Sequence, residues 1–170
     1  FAGSYSSVDI KNGTLSGNSA VGSGGGVYKG TNISSNYFHM TNTIIANSTL
    51  GGDCVSGGLI SVDVNNLIET NSAPPYNCGT PVLTSDPLLG SLQDYGGPTQ
   101  TMALLPGSPA IDAGDNANCP ATDQRGVTRP QGSHCDIGAY EFNPTTRYVK
   151  HDATGDNNGS SWTNAYTDLQ

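Results

Sequence analysis

Three stretches in the first seventy residues alternate apolar and polar side chains: VDIKNGTL (8–15), FHMTNTII (38–45) and VDVNNLIE (62–69). A period of two is the mark of a strand with one packed face and one wetted face. Aligned without gaps, Val8, Phe38 and Val62 fall together, as do Ile10, Met40 and Val64. Asn12, Asn42 and Asn66 follow at one shared position, and Thr14, Ile44 and Ile68 at another. Intervals of thirty and twenty-four residues are too long for hairpins. They suit successive circuits of a coil whose strands stack in parallel. Glycine clusters at GSGGGVYKG (22–30) and GGD (51–53) supply tight corners.

The shared asparagine has two readings. Stacked rungs would hold Asn12, Asn42 and Asn66 ~4.8 Å apart, so that their amides bond up and down a ladder. Alternatively each Asn marks the turn that ends its strand. Both place the three segments in equivalent positions.

Composition supports an all-β chain. The sequence is rich in Gly, Asn, Ser and Thr, with ten Pro, three Phe and one Trp. Six Lys and Arg against fourteen Asp and Glu give a formal charge of −8, which repels phosphate backbones and anionic membranes, so nucleic acid is not an expected partner. No apolar run approaches the ~20 residues that span a bilayer. The four cysteines, Cys54, Cys78, Cys119 and Cys135, lack the close spacing of a zinc site. An even count beside a thin apolar inventory predicts disulfides and an oxidising, extracellular setting. Three connectivities are open, of which local pairing is the most economical. The chain starts without Met or a leader, as expected of a mature fragment or an excerpt of a longer protein.

IKNGTLSGNSAVGSGGGVY resembles rungs of right-handed parallel β-helix proteins, including the pectin-lyase-like and polymorphic outer-membrane groups. From Asn42 to Phe142 the chain resembles the choice-of-anchor Q region of secreted bacterial β-helix proteins. The words that carry this are DYGGPTQTMALLPGSPAIDAG, DQRG, RP and CDIGAYE, with GGDC and NC upstream. The resemblance implies a β-helix C-terminal region with Cys54–Cys78 and Cys119–Cys135 bridges, and no catalytic chemistry. From the residues alone, 84–142 reads as a cap. Its prolines forbid long central strands, and MALLPGSPAI supplies apolar cover for the last rung. Arg125 and Arg129 lie among Asp112, Asp115, Asp123 and Asp136. Ion pairs of Arg125 and Arg129 with Asp112, Asp123 and Asp136 are expected to pin these loops.

Candidate chemistry is sparse. The rung strands contribute only Asp9, Asp63 and Glu69, with Lys11 and Lys29, too little for paired carboxylates or a lyase base. The chain is therefore read as a non-enzyme. His39 alternates with Phe38 and Met40 and is expected at the surface. Asp112 with Asp115 and Asp152 with Asp156 are oxygen-rich clusters with calcium as their candidate ion, without EF-hand spacing; no other cofactor is expected. Asn12, Asn32, Asn47 and Asn158 each open an N-x-Ser/Thr triplet, the acceptor pattern for a glycan.

The last residues, YVKHDATGDNNGSSWTNAYTDLQ, pattern as a strand followed by an amphipathic helix. They resemble the start of a β-helix domain, where such a unit covers the first rung. The expected division is rungs over 1–83, a cap over 84–142, and a linker and tail over 143–170. The expected fold is a right-handed parallel β-helix with a disulfide-bonded cap. The expected role is structural, in an extracellular fibre, surface layer or adhesin stalk. Tyr148, Val149, Trp162, Tyr166 and Leu169 would dock on the first rungs of another copy, of the adjacent tandem domain or, by folding back, of the same chain. Two other roles are open: a carbohydrate-binding or polysaccharide-degrading module that engages cell-surface glycans, and a passive spacer in a tandem adhesin.

Overall fold

The structure, a computed structural model, describes residues 7–30, 37–58, 60, 62–143, 152 and 154. It is all-β, with two disulfides and, among the described residues, one helical element, a 3₁₀ turn at Asn116–Asn118. The strands are β1 (Ser7–Lys11), β2 (Thr14–Ser16), β3 (Val27–Lys29), β4 (Tyr37–Thr41), β5 (Ile44–Ala46), β6 (Cys54–Ser56), β7 (Val62–Val64), β8 (Leu67–Ile68), β9 (Leu89–Gln93) and β10 (Thr101–Leu104). The first eight form three short parallel sheets, β1-β4-β7, β2-β5-β8 and β3-β6. The chain thus crosses the first, second and third sheet in turn and then repeats the order. The sheets are two or three strands wide and do not close on one another.

Two apolar clusters lie on opposite faces of the second sheet. Leu15, Ile45 and Ile68 face inward onto Met40, Val27, Cys54 and Cys78. Ile44, Ala46 and Leu67 face outward onto Leu104, Ala110 and Ile137. A strand covered on both faces needs apolar residues at consecutive positions, which explains the run Ile44-Ile45-Ala46. The cover is the hairpin of β9 and β10 together with the loops that follow it. Expected as a lid over the last rung, MALLPGSPAI instead lies along the flank of the sheet, because the outward face there is apolar. The end of the stack is closed by residues 71–83: Leu83 pairs with Leu67, Asn71 with Cys54, and the Ser56 amide donates to the Tyr76 carbonyl.

The register of the third pass differs from the gapless alignment by one residue. β4 pairs with β7 as His39–Val62, Met40–Asp63 and Thr41–Val64, and β5 with β8 as Ile44–Leu67 and Ile45–Ile68. Phe38 is therefore not level with Val62, nor Ile44 with Ile68. A slip of one residue turns every side chain to the other face. It seats Ile68 inside with Ile45 and turns Leu67 outward with Ile44. Asp63 takes the position level with buried Met40. Its carboxylate accepts the Thr80 amide and the Asn66 side chain, so the last strand ends on a polar group that the closing segment satisfies.

Candidate functional site

The same slip changes the asparagine ladder. Asn12 and Asn42 are level, but the third member is Asn65, not Asn66. All three stand in the left-handed region, at φ 46, 48 and 47. Asn is among the few non-glycine residues that tolerate this conformation, which bends the chain from the first sheet into the second. Their side chains do not run up and down a ladder. Each turns sideways to the flanking loops: Asn12 Nδ2 to the Asp136 carbonyl at 3.5 Å, Asn42 Nδ2 to the Asp115 carbonyl at 3.1 Å, and Asn65 Nδ2 to the Ala113 carbonyl at 3.0 Å. Asn42 Oδ1 also accepts the Asp115 amide at 2.7 Å. Asn66 has another task. Fully buried, it accepts the Thr43 amide at 2.9 Å and donates to the Met40 carbonyl at 3.0 Å, binding the third pass to the second.

Cys54 is bonded to Cys78, which ties the closing segment to β6, and Cys119 to Cys135, which joins two flanking loops beside Asn42. Gly138 completes this seam. Its amide donates to the Asn42 carbonyl at 2.8 Å, and at φ 103 it lies where a Cβ would sit 2.7 Å from Ile44 Cδ1.

The arginines hold the flank from within. Arg125 Nε and a terminal nitrogen donate to one Asp123 oxygen at 2.9 and 2.7 Å, and the guanidinium lies 3.4 Å from the Tyr140 ring centroid. Arg129 pairs with Glu141 at 2.9 Å and donates to the carbonyls of Asp136 and Gly138. Asp112 and Asp136 form no ion pair among the described residues. Asp112 accepts the His134 amide, and Asp136 accepts the amides of Asp112 and Phe142. Burial raises the Asp136 carboxyl to about 6 against the pull of those amides. Burial also acts on Asp123, but the Glu141 amide, Arg125 and further backbone donors outweigh it and hold its carboxyl below the ordinary value. Burial lowers the Arg129 value against the attraction of Glu141. The sequence reading missed Glu141, although CDIGAYE contains it; its carboxylate is wholly buried and also accepts the amides of Gln131 and Asp136.

No group of three or more His, Cys, Asp or Glu that could hold a metal is present among the described residues. Asp115 caps the 3₁₀ turn, accepting from the Ala117 amide and the Asn118 side chain, so its oxygens are spent on the protein itself. Asp152 is exposed, and Asp156 lies outside the described residues. Asp9 and His39 pair at 2.7 Å on the outer face of the first sheet. His39 thus lies at the surface as expected, half-buried there and partnered by Asp9. That bond, then Ser7, lowers the Asp9 carboxyl. Glu69 accepts the Asn47 amide. Asn12, a glycan candidate in the sequence, is buried and bonded; Asn47 is exposed, and Asn32 and Asn158 lie outside the described residues. Tyr148, Val149, Trp162, Tyr166 and Leu169 also lie outside them.

No helix among the described residues is long and apolar enough to cross a membrane. No protein-family model matches the chain, and no curated protein or solved structure matches it.

Proposed function

We propose that this chain is a structural unit of an extracellular assembly, a right-handed parallel β-helix segment of choice-of-anchor Q type joined end to end with its neighbours. One observation carries the reading, the inequality of the two ends of the stack. The end at β6, β7 and β8 is closed by 71–83 through backbone pairing, the Asp63 carboxylate and the Cys54–Cys78 bond. At the other end the outer edges of β1, β2 and β3 have no strand partner among the described residues. An unpaired edge is a template for another strand, and strand addition is a common mode of recognition. The strand-then-helix pattern of 147–170 has the matching chemistry. Tyr148 and Val149 would extend a sheet, and Trp162, Tyr166 and Leu169 would cover the interior. A head-to-tail contact that does not close on itself builds a rod or filament. The two disulfides fit an oxidising compartment.

Light scattering and electron microscopy test this on the full chain and on a chain ending at Phe142. The full chain is expected to form linear, concentration-dependent assemblies and the shorter one to stay monomeric. Equal assembly by both, or a full chain that remains monomeric when concentrated, would overturn docking through the tail and leave the passive-spacer role.

A further inference from the structure

The outer face of the third sheet carries a groove of about 480 Å³, lined by Tyr28, Val55, Tyr76, the Pro74–Pro75 pair and two serines, Ser23 and Ser72. That volume falls in the ~300–1,000 Å³ range of small-ligand sites. Its construction follows from the strand order. Tyr28 is level with Val55 across the β3–β6 pair. The bond from the Ser56 amide to the Tyr76 carbonyl, at 2.8 Å, sets Tyr76 against the other side of Val55. Val55 thus lies between the two tyrosines, on the floor of the groove. Tyr28 is held by strand pairing and Tyr76 by the bond of its carbonyl to Ser56, and both remain wet, at 62% and 55% exposure. Tyr76 is held further by the turn bond of its amide to the Ala73 carbonyl and by the nearby Cys54–Cys78 link.

None of the lining residues carries a carboxylate, an amine or a guanidinium. The groove thus has aromatic faces, aliphatic proline edges, and hydroxyls on both tyrosines and both serines. An anion would find no counter-charge in it and would meet a chain of net charge −8. A purely apolar ligand would cover the hydroxyls without pairing them, at a cost. A ligand with flat C–H faces and a rim of hydroxyls matches both kinds of surface. We propose that this groove binds a neutral oligosaccharide of two or three pyranose units, stacked on Tyr28 and Tyr76 and bonded at its edges by Ser23 and Ser72. The proposal does not rest on the assembly reading: the groove runs down the outer face of the third sheet, from Tyr28 on β3 to Tyr76 in the closing segment.

Titration of the full, oxidised chain with neutral tri-hexoses of glucose, mannose and galactose, followed by NMR and tyrosine fluorescence, tests the proposal. Trigalacturonate and an oligoproline peptide serve as the competing ligands. Saturable binding of at least one neutral trisaccharide is expected, with shifts confined to 23–28, 55–57 and 72–76. Tyr28→Ala and Tyr76→Ala should each weaken it about tenfold, and Tyr28→Phe only severalfold less. Because both tyrosines are exposed, the variants should keep the melting temperature of the parent. No binding across the neutral panel at millimolar concentration overturns the site. So does binding that survives Tyr28→Ala and Tyr76→Ala together, or preference for trigalacturonate or oligoproline.

Discussion

Asn42 and Asp115 are bound in both directions: Asn42 Oδ1 accepts the Asp115 amide at 2.7 Å, and Asn42 Nδ2 donates to the Asp115 carbonyl at 3.1 Å. One side chain in the second pass thus satisfies both backbone groups of a residue seventy-three positions later. The bonds are sheltered from water, since Asn42 is fully buried. The flanking loops are fastened to the stack at the same corner where its chain turns.

This joint predicts a ranking of substitutions. Asn42→Ala removes both bonds and places an ordinary residue at φ 48, so a loss of about 3 kcal/mol is expected. Asn42→Gly removes the bonds but relieves the backbone, and should cost about 2 kcal/mol. Urea unfolding of the two variants reads the difference. A glycine variant as stable as the parent would mean that the bonds to Asp115 contribute nothing.

Arg129 and Glu141 are expected to act as one unit. Both side chains are almost wholly buried, so removing either leaves a charge without its partner, at a cost of about 3–5 kcal/mol. Glu141→Gln and Arg129→Met should each fall in that range. The double variant should be less destabilised than the two losses added together, with a coupling of more than about 1 kcal/mol in a double-mutant cycle. Simple additivity would show that the pair is not the unit proposed.

Stability should rise on mild acidification. Asp136 holds its proton up to about 6 in the folded chain, above its ordinary 3.8. Between those values the folded state binds more protons than the unfolded one, so stability increases as pH falls through about 6 and levels off below the ordinary value. The gain is at most about 3 kcal/mol. Asp123 acts in the opposite sense, but only below its ordinary value, where the unfolded chain takes up a proton that the folded carboxyl does not yet accept. Urea midpoints at pH 7 and pH 5 test this. Asp136→Asn, which is neutral throughout, should lose the pH dependence; a dependence that persists would assign it to another group.

Much of the fold was legible because parallel strands repeat their chemistry. The period-two alternation marked β1, β4 and β7, and the level pairs Val8–Phe38, Ile10–Met40 and Asn12–Asn42 are those of the structure. The third pass misled because VDVNNLIE has two adjacent asparagines, and a gapless alignment chose the wrong one. Asn65 takes the left-handed corner, while Asn66 turns inward to the Thr43 amide, a demand visible only when the two passes lie side by side. The arginines were visible as a cluster, yet their partners were not. Asp123 is two residues from Arg125, whereas Glu141 reaches Arg129 only because a loop returns.

The amino-acid chain alone sets the all-β character, the repeating passes and the first two corners, at Asn12 and Asn42. These rest on local chemistry: alternation, glycine, and asparagine with a left-handed backbone. The tertiary structure decided what the later residues cover, which face of the third pass turns inward, and which carboxylates carry ions and which carry amides. Those outcomes depend on which buried polar groups meet across long separations, and Asn42, Asn66, Asp123 and Glu141 find their partners only in the assembled chain. The tyrosine groove belongs to the second kind as well, since Tyr28 and Tyr76 lie far apart in sequence and line one groove with Val55 only because successive passes stack.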